Sequence, residues 1–147
     1  MLRFLQRRPK KLIIYCDGGI GDKGDGAGLG VVIRDTEGDV LALAKRKLPP
    51  MTNNEAEYAA LVLALEGARR FRPRELEIRM DSEIVVGQMR GYFAVRSPAL
   101  KPWHSRACRL VRRFKAVTLR HIPREANRLA DALANEALTG QEMGNEK

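Results

Sequence analysis

Apolar positions along the chain recur with two different periods, and the places where one gives way to the other divide it into strands and helices. The first run, Leu12-Ile13-Ile14-Tyr15-Cys16, is continuously apolar and ends in Asp17-Gly18-Gly19. Such a run predicts a strand covered on both faces of a sheet rather than one with a wet side. Residues 20–28 are rich in Gly and Asp and read as a loop. Strands are predicted over 29–34 and 40–48, joined by the turn Asp35-Thr36-Glu37-Gly38 and closed off by Pro49-Pro50.

Helical periodicity takes over at 52–70. Thr52 with Glu55 three places on forms a capping box, and Leu61, Ala64, Leu65 and Ala68 make one apolar stripe. Leu76, Ile78 and Met80 then alternate with Glu77 and Arg79, a half-buried strand stopping at Asp81. A short helix over 82–90 ends at Gly91, and 92–103 is irregular, with Pro98 and Pro102 in it. A basic helix over 104–115 puts Arg106, Arg109 and Arg113 on one face and leaves Leu110 and Phe114 for packing. A strand over 117–122 is halted by Pro123, and 126–138 is the last helix. Residues 1–10 form a short basic lead-in, 11–139 the folded domain and 140–147 a frayed tail.

This order predicts an α/β fold with one five-stranded mixed sheet and helices on both faces. Strands one, four and five run parallel through helical crossovers, while two and three form an antiparallel edge, giving the order 3-2-1-4-5. Asp17 and Asp81 then end neighbouring parallel strands, where ligands gather in such sheets. Glu57 points to the same side as its helix's apolar stripe, and a buried charge there is costly. Either it clears the edge of the core or, the favoured reading, something positive sits beside it. Each acid also has a plain structural reading. Asp17 can open a turn, and Asp81 can cap the next helix. Asp131, opposite the apolar side set by Ala126, Leu129 and Leu133, can be a solvated surface acid.

Composition narrows the field. At 147 residues the chain fits one domain, large enough to bury roughly 68–70% of its extended surface without disulfides. Cys16 and Cys108 have no zinc-type spacing, and they suit a reduced, cytoplasmic protein. No apolar run reaches the ~20 residues of a membrane span, and the N-terminus lacks a signal-peptide core. The net charge of +9, from 27 basic and 18 acidic residues, favours a polyanionic partner, either nucleic acid or an acidic membrane surface. Three or four converging carboxylates repel one another unless divalent cations join them. Hard oxygen ligands suit Mg²⁺, with Mn²⁺ the alternative. Two such ions ~3.5–4 Å apart assist in-line displacement at phosphorus. Hydrolysis of a nucleic-acid backbone is therefore the leading reading, with no membrane partner.

Four motifs sharpen it: Tyr15-Cys16-Asp17-Gly18-Gly19, Thr52-Asn53-Asn54-Glu55-Ala56-Glu57-Tyr58, Met80-Asp81-Ser82, and Asn127-Arg128-Leu129-Ala130-Asp131-Ala132-Leu133-Ala134. In this order and at this spacing the chain resembles the type 1 ribonucleases H over residues 11–138. The resemblance implies the ribonuclease H-like fold, with Asp17, Glu57, Asp81 and Asp131 as the catalytic, metal-binding set. Asp17 would bridge both ions, with Glu57 and Asp81 mainly on one and Asp131 on the other. It implies cleavage of the RNA strand of an RNA/DNA hybrid to 3′-hydroxyl and 5′-phosphate ends. Substrate contacts are expected from Gly18, Gly19, Thr52, Asn53, Asn54, Ser82, Arg124 and Asn127.

The family often carries a His before its last acid for proton transfer or product release. Here His121 lies on the strand, so His121 or Arg124 is the candidate, and a structural hydrogen bond is the favoured reading of His121. Residues 91–103 are too short and irregular for the basic protrusion of some members, and the lead-in is too short for a hybrid-binding domain. The compact archaeal and bacterial form is the closer match. Lys101, Arg106, Arg109, Arg113 and the basic lead-in would supply hybrid affinity, and a monomer is expected. The alternatives are a same-fold nuclease acting also on double-stranded RNA or junctions, and a basic hybrid-binding module without catalysis.

Overall fold

The computed structural model describes residues 9–140. The predicted lead-in and tail fall almost wholly outside the described residues. In chain order the elements are β1 (Lys11–Ile20), β2 (Ala27–Arg34), β3 (Val40–Leu48), α1 (Asn53–Arg69), β4 (Glu75–Met80), α2 (Glu83–Arg90), α3 (Lys101–Val111), β5 (Ala116–His121) and α4 (Arg128–Thr139). The strands form one sheet in the order β3-β2-β1-β4-β5. β1 pairs antiparallel with β2 and parallel with β4, while β5 is parallel to β4 and β3 antiparallel to β2. This is the predicted topology.

Strand alternation sends the apolar side chains to two layers. Leu12, Ile14 and Cys16 of β1 join Leu29, Val31 and Ile33 of β2 and Leu76, Ile78 and Met80 of β4 in the main core, under α1, α2 and α3. On the opposite face Val32 and Tyr15 meet Leu129, Ala130 and Leu133 of α4. Helices therefore cover both faces, as the continuous apolar run of β1 demands. The capping box at the start of α1 forms as expected, with Thr52 Oγ1 accepting the Glu55 N–H at 3.2 Å and Glu55 Oε1 accepting the Thr52 N–H at 3.0 Å. No helix among the described residues is long and apolar enough to cross a membrane.

The structure moves several boundaries. β1 runs on to Ile20, which pairs with Ala27, so the predicted loop over 20–28 shrinks to 21–26. Extended pairing with β2 outweighs the poor strand propensity of Gly18 and Gly19. α3 starts at Lys101 rather than at 104 because Pro102 sits in its first turn, where its missing N–H costs nothing. The same helix stops at Val111, with Arg112 as its C-cap, instead of running to 115. α4 begins at Arg128, after a 3₁₀ turn over Arg124–Ala126. Ser82, not Asp81, caps α2: its Oγ accepts the Val85 N–H at 3.2 Å, which leaves the Asp81 carboxylate free for other work.

Candidate active site

Asp17 and Asp81 occupy equivalent positions on parallel neighbours. The β1–β4 ladder ends at the pair Tyr15–Arg79, and each acid lies two residues beyond it. From there β1 stays with β2, while Met80 of β4 stays opposite His121 of β5. A gap opens between the two strands, and the acids face each other across it. α1 enters above this gap, bringing Glu57. Carboxylate oxygens of Asp17, Glu57 and Asp81 all lie within 4.8 Å of one another. Asp131, one turn into α4, approaches from the other face of the sheet, close enough for its carboxyl to push Asp17 up. Three of the predicted acids thus meet, and the fourth, whose helical phase alone reads as a surface position, lies near enough for its charge to act on Asp17 and Glu57.

Tight packing makes the convergence possible. A Cβ at Gly18 would collide with the carbonyl oxygen of Ala56 in α1, so only glycine lets the helix come this close. The Gly18 N–H then donates to Glu57 Oε1 at 3.1 Å. Across the sheet, a Cβ at Gly30 would strike the Ala130 carbonyl oxygen of α4. Gly30 is paired with Asp17. The bare surface of β2 therefore lets α4 settle against the sheet until Asp131 reaches Asp17. Sequence reasoning missed this bed, although Gly28 and Gly30 spaced by two in an apolar strand mark a close backbone approach.

The cluster is electrostatically frustrated. Asp17 and Glu57 are only 6% and 7% exposed. Burial is the largest force on Asp17, and the charges of Glu57 and Asp81 add to it, so its carboxyl titrates far above the usual range. Glu57 is pushed up to about 7, chiefly by burial and then by Asp81 and Asp131. The Gly18 N–H and, more weakly, the Arg124 guanidinium pull it back. Among the described residues no Lys or Arg forms an ion pair with Asp17, Glu57 or Asp81. The positive neighbour expected for Glu57 is therefore mainly a backbone N–H, with Arg124 a lesser second. The Cys16 thiol lies fully buried beneath the acids. Burial and then the charges of Glu57, Asp17 and Asp81 raise its pKa, which keeps it protonated and inert.

The predicted substrate contacts divide into three groups. Asn53 and Asn54 open α1 at the solvent side, Gly19 faces open space, and Arg124 is exposed with its charge felt by Glu57. These remain available to a ligand. Thr52 and Ser82 have their side-chain oxygens engaged in helix caps, and the Gly18 N–H is taken by Glu57. Asn127 is a correction. It is 1% exposed and donates through Nδ2 to the Cys16 carbonyl oxygen at 3.0 Å, while its own carbonyl oxygen accepts the Asp131 N–H at 3.1 Å. It ties the residue before Asp17 to the turn that carries Asp131, which is a positioning role. His121 ends β5 exposed, and among the described residues no side-chain hydrogen bond holds it. The structural bond expected of it does not form, and the ring is free on the same edge as Asp81.

Of the predicted affinity residues, Arg106 is partly spent on Glu66 of α1 at 3.0 Å, whereas Lys101, Arg109 and Arg113 stay exposed.

Known proteins resemble this chain in sequence and fold. Residues 15–137 match the family model described as reverse transcriptase-like. Ribonuclease HI of the archaeon Halobacterium salinarum is 38% identical over 124 residues, which cover 84% of this chain and 62% of that relative's length. The crystal structure of RNase H1 from the same organism superposes with a TM-score of 0.85 at 36% identity, over 89% of this chain and 99% of that one. LC11-RNase H1, solved in complex with an RNA/DNA hybrid, does so with a TM-score of 0.83 at 40% identity, over 88% of this chain and 97% of that one.

Proposed function

The chain belongs to the type 1 ribonuclease H family, and from that premise we propose that it is a metal-dependent endoribonuclease. It hydrolyses the RNA strand of RNA/DNA hybrids, leaving 3′-hydroxyl and 5′-phosphate ends. One observation carries the reading: three carboxylates within 4.8 Å of one another, two of them buried, with no Lys or Arg paired to them among the described residues. Binding to a polyanion alone would select against such a cluster beside phosphates.

The donor set fits divalent cations. It is all hard oxygen, and it holds protons at a cost that a bound cation would remove. Asp17, Glu57, Asp81 and Asp131 would hold the ions, and Mg²⁺ is the cation proposed, two per site, with Mn²⁺ as substitute. Bound there, the ions supply a nucleophilic water at neutral pH and neutralise charge growing on the phosphate. The protein does the rest. Gly18 holds Glu57 in one orientation, and Asn127 fixes the separation of Asp17 and Asp131. Asn53, Asn54 and Gly19 offer donors and an open approach at the α1 N-terminus, where helix-end N–H groups favour phosphate. The 2′-hydroxyl, read across a shallow minor groove, marks the RNA strand. Arg124 would bring positive charge to the phosphate, and His121 or Arg124 would serve proton transfer or product release. The enzyme is proposed to act as a monomer in the reducing cytoplasm, where Cys16 and Cys108 stay free.

The test is cleavage of an end-labelled hybrid with Mg²⁺, beside matched double-stranded and single-stranded RNA, with Asp17→Asn and EDTA as controls. Cutting of the hybrid's RNA strand only, lost in both controls, is the expected result. Equal cutting of double-stranded RNA would assign the broader nuclease, and tight hybrid binding without cleavage in either metal would overturn the catalytic reading.

A further inference from the structure

At the end of the sheet remote from the carboxylates, Arg69, Arg72, Arg74, Arg113 and Lys115 line a groove of ≈ 600 Å³. The groove opens at the amino ends of β4 and β5, which begin at Glu75 and Ala116, whereas Asp81 follows the carboxyl end of β4. Six residues of strand put about 20 Å between the two places.

Sequence and packing build this groove twice over. α1 runs out in Arg69-Arg70-Phe71-Arg72 and α3 in Arg112-Arg113-Phe114-Lys115, the same aromatic flanked by cations. Phe71 and Phe114 both pack against the main core, so the neighbouring cations are left in solvent. Cations at helix C-termini have a plain explanation in the helix dipole, but its size does not suffice. Two helix ends contribute roughly one negative charge together, against the four full positive charges of Arg69, Arg74, Arg113 and Lys115 lining the groove. Among the described residues no carboxylate lines it. Among the described residues Arg69, Arg74, Arg113 and Lys115 form no ion pair. Arg72 is the one described non-glycine residue with positive φ, +47°.

We propose that this groove is a second, non-catalytic contact for nucleic-acid phosphates, separate from the carboxylate site. The proposal rests on the reading that the chain acts on nucleic acid, but it needs neither metal nor cleavage. Guanidinium forks match phosphate oxygens in pairs, and the open groove suits a chain of phosphates rather than one enclosed anion.

The experiment measures fluorescence anisotropy of a long DNA duplex with the full chain in EDTA, over a range of salt. The Arg69→Gln/Arg74→Gln double variant should lower the slope of log affinity against log salt by about 1.8, and weaken binding about tenfold at low salt. Arg46→Gln/Lys47→Gln on β3, with the same change in net charge, should leave the slope where it was. Melting curves check that both variants fold. An unchanged slope in the first variant, or equal losses in both, overturns the proposal. Binding of inorganic tripolyphosphate that depends on Arg69 and Arg74, with DNA binding unaffected, also overturns it and assigns a small-anion site. Groove-dependent DNA binding in a protein that fails to cut hybrids would leave the groove standing and remove only the nuclease reading.

Discussion

Replacing Glu57 by Gln should stabilise the metal-free protein, and by an amount that depends on pH in a defined way. Gln keeps the shape and an oxygen that can accept the Gly18 N–H, so the substitution removes charge and little else. The rise of Glu57 from its ordinary 4.5 to about 7 is worth about 3 kcal/mol between its two protonation states. Because the side chain is almost wholly buried, solvent screening takes little from that figure. Below pH 4.5 Glu57 is protonated in both folded and unfolded chains and contributes no difference. Between pH 4.5 and 7 the unfolded chain ionises while the folded one does not, so wild-type stability falls by about 1.4 kcal/mol per pH unit. Above pH 7 the deficit is constant. Urea unfolding in EDTA should therefore give similar stabilities for the two proteins near pH 4.5 and a gap approaching about 3 kcal/mol at pH 8, on the order of 10 °C in melting temperature. The charge of Glu57 also raises Asp17, so relief there adds to the gap rather than reducing it. Stability curves that run parallel from pH 4.5 to 8 would refute the reasoning.

Saturating Mg²⁺ at pH 8 should raise the melting temperature of the wild type by an amount that grows with ion concentration. Asp17→Asn should abolish that rise, which differential scanning fluorimetry can follow. Gly18→Ala forces a Cβ into the Ala56 carbonyl oxygen. It should cost 2 kcal/mol or more, on the order of an overpacked core position, with hybrid cleavage lost in proportion to the displaced Glu57. Asn127→Ala leaves the buried Cys16 carbonyl oxygen without its donor and should cost about 1–3 kcal/mol in urea. In steady-state assays it should lower kcat more than it raises KM, since the residue positions Asp17 and Asp131 and touches no substrate.

The elements were legible because their causes are local. The continuous apolar run of 12–16 marks a doubly covered strand, Thr52 and Glu55 mark a helix start, and period-two alternation marks β4. The parallel crossovers then restrict the topology to a few choices, and Asp17 and Asp81 fall at one end of the sheet in nearly all of them. Boundaries were less legible where a distant partner decides them: β1 extends to Ile20 because β2 offers hydrogen bonds, and α3 accepts Pro102 in its first turn.

What the sequence by itself determined is thus the alternating frame and three acids, Asp17, Glu57 and Asp81, converging at its carboxyl edge. The resemblance alone named Asp131, which helical phase made superficial, and the same phase left the burial of Glu57 awkward. Only the tertiary structure decided their use. Glu57 is held by a Gly18 N–H that becomes available where α1 crosses the strand, and Asp131 arrives because glycines on β2 let α4 lie close. Asn127 went the other way, from a substrate contact to a buried tie. Periodicity records which face of an element is buried, since burial is a property of one side chain and solvent. It carries no record of which backbone atom from another element will meet a polar group there, because that distance exists only once both elements have packed.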